Sequence, residues 1–147
     1  MTTPAAFEFA PLAASTRCPC LSGEQYGACC GPFHGGEAAA PTAERLMRSR
    51  YSAYVTGDAA YLLATWHPST RPATLELDAA RRFFRLDIIE SRGGGMLDAD
   101  GTVEFCAFST LTTTDPGTGA TTRTVDEQHE VSRFVRVDRR WAYLDGR

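Results

Sequence analysis

Apolar positions along this chain keep a helical period in the first half and a strand period in the second. Beyond Pro41, Met47, Tyr51, Tyr54 and Val55 recur at i, i+4, i+7 and i+8, which is one face of an amphipathic helix. Thr42 stands at its N-cap, Glu44 lies in the favourable first turn, and Gly57 stops it. Asp58 caps a second predicted helix carrying Leu62 and Trp66 on one stripe, which Pro68 ends. A short third helix is predicted between about Thr74 and Phe83.

From Leu86 the pattern changes. Leu86–Ile89, Val103–Phe108, Val131–Val137 and Trp141–Leu144 are rich in branched and aromatic residues and read as strands. Gly93 to Gly101, Asp115 to Gly119 and Asp138 to Arg140 supply the hairpin connections. Helices first and hairpin-linked strands afterwards predict an α+β fold with a mostly antiparallel sheet, not a βαβ nucleotide-binding fold.

Composition narrows the function classes. The chain has 147 residues, 43% of them hydrophobic, which suits one modest domain with a core of its own. Its 15 basic residues are all arginine and are outnumbered by 18 acidic ones, giving a net charge of −3. That balance argues against nucleic acid as a partner, because phosphate-backbone binding rests on dense positive charge. No stretch approaches the ~20 apolar residues that cross a bilayer, so no membrane role is expected. The opening segment has no basic residue before Arg17 and no long apolar run, so it does not read as a signal peptide. It is expected to be a flexible tail over residues 1–17. Free thiols point to a reducing cytoplasm.

The densest chemistry lies just after that tail. Cys18, Cys20, Cys29 and Cys30 fall within thirteen residues. Neither doublet closes easily on itself, since a disulfide needs Cα atoms ~4.4–6.8 Å apart with a defined torsion. Four thiolates around one tetrahedral zinc ion suit the spacing better, and a four-sulfur site leaves no position open for substrate. A disulfide or redox site is the alternative. His34 is weighed as a substitute ligand and placed instead in a solvated loop. Cys106, far away in an apolar run, reads as a small buried hydrophobe.

This run resembles the SEC-C zinc-binding motif, in which Cys-x-Cys is followed after eight residues by Cys and then Cys or His. All four ligand positions match, as do Ser22, Gly23 and Tyr26 between them. Leu21 stands where the motif usually has glycine, and Glu24, Gln25, Gly27 and Ala28 stand where lysines are common. SEC-C motifs at the end of the SecA translocation motor are associated with chaperone binding, so the resemblance implies a protein partner docking on the zinc knuckle.

The body resembles the YchJ family of bacterial proteins, through Leu46 to Tyr51 with Tyr54, Tyr61-Leu62, Thr65 to Pro68, Glu130 to Phe134 and Trp141 to Gly146. That resemblance implies a cone similar to nuclear transport factor 2, with N-terminal helices packed on a curved, mostly antiparallel sheet. The expected organisation is a knuckle over 18–34, a linker over 35–41 and the cone domain over 42–147, with one structural zinc per chain. Pocket candidates inside the cone are Arg48, Arg50, Tyr51, Trp66, His67, Glu130 and Ser132.

Two arrangements of these groups are open. His67 or Glu130 exchanges a proton at the cone's mouth while arginine holds an anionic group; or Arg50 and Glu130 form an internal ion pair, the expected outcome, since buried charges are normally paired. Along the late strand either His129 or Glu130 can face inward, and Glu130 is expected to. Two functions follow: a non-enzymatic adaptor or small-ligand-binding module, which is preferred, or a small acid–base enzyme of dehydratase, isomerase or cyclase type.

Overall fold

The computed structural model describes residues 8–147, so residues 1–7 of the expected tail lie outside the described residues. Three helices, α1 (Gly31–His34), α2 (Ala43–Thr56) and α3 (Ala59–Ala64), precede four strands, β1 (Arg81–Gly93), β2 (Asp100–Thr114), β3 (Thr121–Val137) and β4 (Arg140–Gly146). The strands form one antiparallel sheet in the order β1-β2-β3-β4. The helices pack on one face of it.

The ends of α2 follow from its sequence. The Thr42 hydroxyl accepts a hydrogen bond from the amide of Arg45, and Gly57 takes a left-handed φ of 75° that a side chain would resist. Asp58 caps α3 by accepting from the Tyr61 amide.

The short helix expected between Thr74 and Phe83 does not form. Leu75 and Leu77 are half-buried at alternate positions, an extended pattern with no helical face, and the amides of Ala80 and Arg81 turn back onto Asp78 to start β1.

In β2 the odd positions Val103, Phe105, Ala107 and Ser109 are buried against the helices, and the even ones face outward. Cys106 therefore lies half-buried on the outer face, in register between Asp87 and His129, and is not the buried hydrophobe expected. Register shifts at Phe83/Arg85, Ile88/Glu90 and Arg133/Phe134 bend the sheet around the helices.

The core is continuous with the knuckle. All four knuckle cysteines and Phe33 belong to the same buried cluster as Leu46, Met47, Tyr51, Val103, Phe134 and Trp141. The segment before Cys18 runs alongside, with the amides of Tyr26 and Gly27 donating to the carbonyls of Thr16 and Ala14. Among the described residues, no helix is long and apolar enough to cross a membrane.

Candidate functional site

The knuckle is a tight loop closed by a 3-10 turn at Tyr26–Ala28 and by α1. It brings the Sγ atoms of Cys18, Cys20, Cys29 and Cys30 within 4.8 Å of one another, at 0%, 0%, 7% and 1% exposure. All four are free thiols. Bonds of ~2.3 Å to a tetrahedral ion require sulfur–sulfur separations of about 3.8 Å. Cys20 to Cys29 is 3.6 Å and Cys29 to Cys30 is 3.9 Å, so the sulfurs fit a single metal ion.

Electrostatics agree with that fit. Hydrogen bonds from Cys18 and Cys30 pull the Cys20 thiol far below its ordinary range. Hydrogen bonds with Cys18 and Cys20, with burial, push Cys30 well above it, and burial pushes Cys29 up to about 11. One negative charge thus suppresses the next. A divalent cation among them lets all four ionise.

Helix α2 supplies the surroundings of the centre. The Ser52 hydroxyl, fully buried, donates to Cys30 at 3.4 Å and lies 3.6 Å from Cys18, while Ser22 reaches Cys29 at 3.1 Å. Arg48 donates to the Cys20 carbonyl at 2.7 Å and pairs with Glu44. It therefore belongs to the surroundings of the cysteine cluster and does not line the cone cavity, contrary to expectation. Ser52 had no signal in the knuckle motif. Its position four residues after Arg48, on the same side of α2, is what could have found it.

His34 is neither a ligand nor a solvated loop residue. Its Nε2 lies 2.8 Å from the Ser49 carbonyl and must donate, so Nδ1 accepts from the Tyr26 hydroxyl at 2.6 Å. Ser49 in turn donates to the Leu46 carbonyl and accepts from Tyr61. This chain of bonds ties the knuckle to α2 and α3.

A second candidate site lies on the other side of α2. A cavity of about 150 Å³ is bounded by Met47, Arg50, Tyr51 and Tyr54 from α2, Trp66 and Tyr143 at one end, and Phe105, Gln128, Glu130 and Ser132 from the sheet. Of the expected pocket residues it unites Arg50, Tyr51, Trp66, Glu130 and Ser132. His67 is absent from its walls: the His67 amide donates to the Tyr143 carbonyl and its Nδ1 accepts from Ser69, which pins the turn after α3 to β4. Tyr54 and Tyr143 were not expected there; Tyr54 completes the i, i+3, i+4, i+7 stripe of α2.

The expected Arg50–Glu130 ion pair does not form. Arg50, 4% exposed, donates from Nη1 to the Leu62 carbonyl and the Thr65 hydroxyl, both at 2.7 Å. Its guanidinium stacks 5.1 Å from the Trp66 ring and 4.6 Å from the Tyr143 ring, and burial lowers its pKa. Glu130 instead accepts from Ser132 at 2.5 Å, and a methyl group added at Gly146 would land on its carboxylate. Glu130 faces inward opposite Phe105, whereas His129 points outward and meets Glu104 at 2.6 Å, with no pairing to Glu127.

Two buried donors on residues that line the cavity have no partner among the described residues. The Tyr51 hydroxyl and the Trp66 indole nitrogen are buried without a hydrogen bond. Leaving such a group unsatisfied costs about 1–3 kcal/mol. Burial, with the negative charge of the Cys20 sulfur adding to it, moves the ionisation of Tyr51 well above that of a free tyrosine.

Comparison with known proteins places this arrangement. Residues 42–146 match the model described as YchJ, middle NTF2-like domain, and residues 15–32 match the SEC-C motif. A UPF0225 protein of Streptomyces coelicolor is 50% identical over 129 residues, 88% of this chain and 93% of that protein. One of Corynebacterium glutamicum is 48% identical over 130 residues, 88% and 95% of the two chains. The solution structure of a SEC-C motif containing protein from Rhodopseudomonas palustris superposes with a TM-score of 0.68 at 32% identity, covering 88% of this chain and 96% of that one. A crystal structure of a SEC-C motif containing protein from Psychrobacter arcticus gives 0.66 at 25% identity, covering 91% and 84%. With this NTF2-like body and its four-cysteine knuckle, the chain belongs to the UPF0225, or YchJ-type, family.

Proposed function

We propose that this protein is a non-enzymatic binding module in which one structural zinc ion, held by Cys18, Cys20, Cys29 and Cys30, braces α2 while the cone cavity receives a small ligand. Zinc suits the donor set, since four thiolates favour a soft tetrahedral ion and leave it no open position for chemistry. Thiols of this kind persist in a reducing compartment, which the cytoplasm provides. The observation that carries the ligand reading is the cavity itself, where Arg50 and Glu130 both arrive without forming an ion pair.

The acid–base enzyme is the second reading, and Glu130 inside the cavity is what favours it. His67, the other proton carrier it would use, faces the turn. A protein partner would meet the knuckle through apolar contact, since Leu21 is 48% exposed and Glu24 opposes acidic surfaces. Duplex DNA and single-stranded RNA are expected not to bind at ~150 mM salt.

The test is a fragment titration of zinc-loaded protein followed by the indole signal of Trp66 and the methyl signal of Met47. A subset of small fragments should shift both signals and stay chemically unchanged. A broad library that shifts neither would overturn the ligand reading, and conversion of a bound fragment would establish the enzyme.

A further inference from the structure

Two opposite charges reach the wall of the same cavity. Arg50 enters from α2, and among the described residues its Nη1 alone is engaged, by the neutral oxygens of Leu62 and Thr65. Glu130 enters from β3, half-buried, and Ser132 is its one hydrogen-bond partner among the described residues. The two make no ion pair, yet they act on common neighbours. Burial lowers the Arg50 pKa, and the charge of Glu130 is among those that oppose the fall. Burial raises the ionisation of Tyr54 and Tyr143, both on the cavity wall, and on each phenol Glu130 adds to that rise while Arg50 opposes it.

Charges that balance without touching restrict what a guest can carry. An added anion would suit Arg50 and repel Glu130, and an added cation would do the reverse, so either ion leaves one charge uncompensated in a partly dry site. A neutral group that holds an acceptor and a donor meets both: the acceptor takes an unused N–H of the guanidinium, the donor a free lone pair of the carboxylate. The rest of the wall, at Met47, Phe83, Phe105 and Ala107, is apolar. The volume of about 150 Å³ matches that of an engineered cavity known to take up benzene, which limits the guest to a single ring.

We infer that the cone cavity binds an uncharged cyclic amide of benzene scale, its carbonyl accepting from Arg50, its N–H donating to Glu130 and its ring carbons lying against Met47, Phe83 and Phe105. This rests on the reading of the cavity as a ligand site. It adds the ligand's charge, its size and its orientation. A ring amide presents N–H and C=O side by side on one edge, which suits an arginine and a glutamate that act on the same two phenols.

The experiment titrates the full zinc-loaded chain with four probes of similar size, reading the Met47 methyl and Trp66 indole signals. They are 2-pyrrolidinone, cyclopentanone, which lacks the donor, cyclopropanecarboxylate, an anion, and pyrrolidine, a cation at neutral pH. 2-Pyrrolidinone should bind most tightly, with cyclopentanone about tenfold weaker and both ions weaker still. Glu130→Gln removes the negative charge at nearly constant shape, so it should raise the affinity for cyclopropanecarboxylate about tenfold while 2-pyrrolidinone changes less. Either ion binding the natural protein as tightly as the lactam would overturn the neutral guest and leave the cavity a ligand site. Equal binding of cyclopentanone would overturn the contact to Glu130, and unchanged carboxylate affinity in Glu130→Gln would overturn the charge balance. If none of the four probes shifts either signal while other fragments do, the class is wrong; if no fragment does, the ligand reading falls and this inference with it.

Discussion

The hydroxyl of Ser52, in the middle of α2, donates to the sulfur of Cys30 at 3.4 Å, across 22 residues of chain. A bond from a fully buried helical serine to a thiolate stabilises the ionised sulfur and fixes its direction. Ser52→Ala should therefore lower zinc affinity about tenfold or more, as outer-shell losses typically do, while the ligands themselves stay intact. Competition against a chromophoric chelator measures it. Equal affinity in the variant would mean that Ser52 serves packing alone.

Purified protein should contain about one zinc per chain. Elemental analysis after dialysis against metal-free buffer should give that stoichiometry for the natural sequence and a strongly reduced one for Cys29→Ser. A variant that kept its metal would remove Cys29 from the ligand set. Chelation should also lower the melting temperature, because the cysteines lie in the same buried cluster as α2 and the sheet.

Leu21 adopts a left-handed φ of 63°, at the place where the SEC-C motif usually carries glycine. A side chain there costs roughly 1 kcal/mol, part of which glycine gives back through its freer unfolded chain. Leu21→Gly should raise stability by about 0.5–1 kcal/mol in chemical denaturation. A clear loss of stability would show that the half-exposed leucine makes contacts worth more than its backbone strain.

Burial raises the ionisation of Tyr61 and Tyr143 to about 12 each, and that of Tyr51 higher still. The sign follows from linkage: a group whose folded pKa lies above its unfolded value stabilises the fold fully below the unfolded value, and that contribution disappears as pH rises through the folded one. Stability should hold to about pH 10 and fall between there and about pH 12. Melts across that range, read beside tyrosinate absorbance, check it; a flat profile would mean these phenols are hydrated in solution.

What was legible in advance was local. The cysteine spacing, the Thr42 cap and the Gly57 stop depend on neighbours along the chain, and the sequence carries them directly. What was not legible depends on which way a side chain turns within a correctly placed element. Arg48 and Arg50 are two residues apart, which on a helix is about 200° of rotation, so only one can face the cavity. The missing Arg50–Glu130 pair is of the same kind. Leu62 and Thr65 supply oxygens that only the packing of α3 against α2 brings close, and a rule about pairing buried charges does not see them. The helix expected before Phe83 failed on period: two leucines at alternate positions carry no helical stripe.

Helix α2 holds Arg48 and Ser52 against the knuckle on one side and Met47, Arg50, Tyr51 and Tyr54 against the cavity on the other. The two sites are thus inherited as one. A substitution that rolled or slid this helix to reshape the cavity would drag the cysteine cluster out of register. Room for change lies in exchanging single side chains on an unmoving backbone, and in the sheet wall from Phe105 to Ser132, which carries no such second duty.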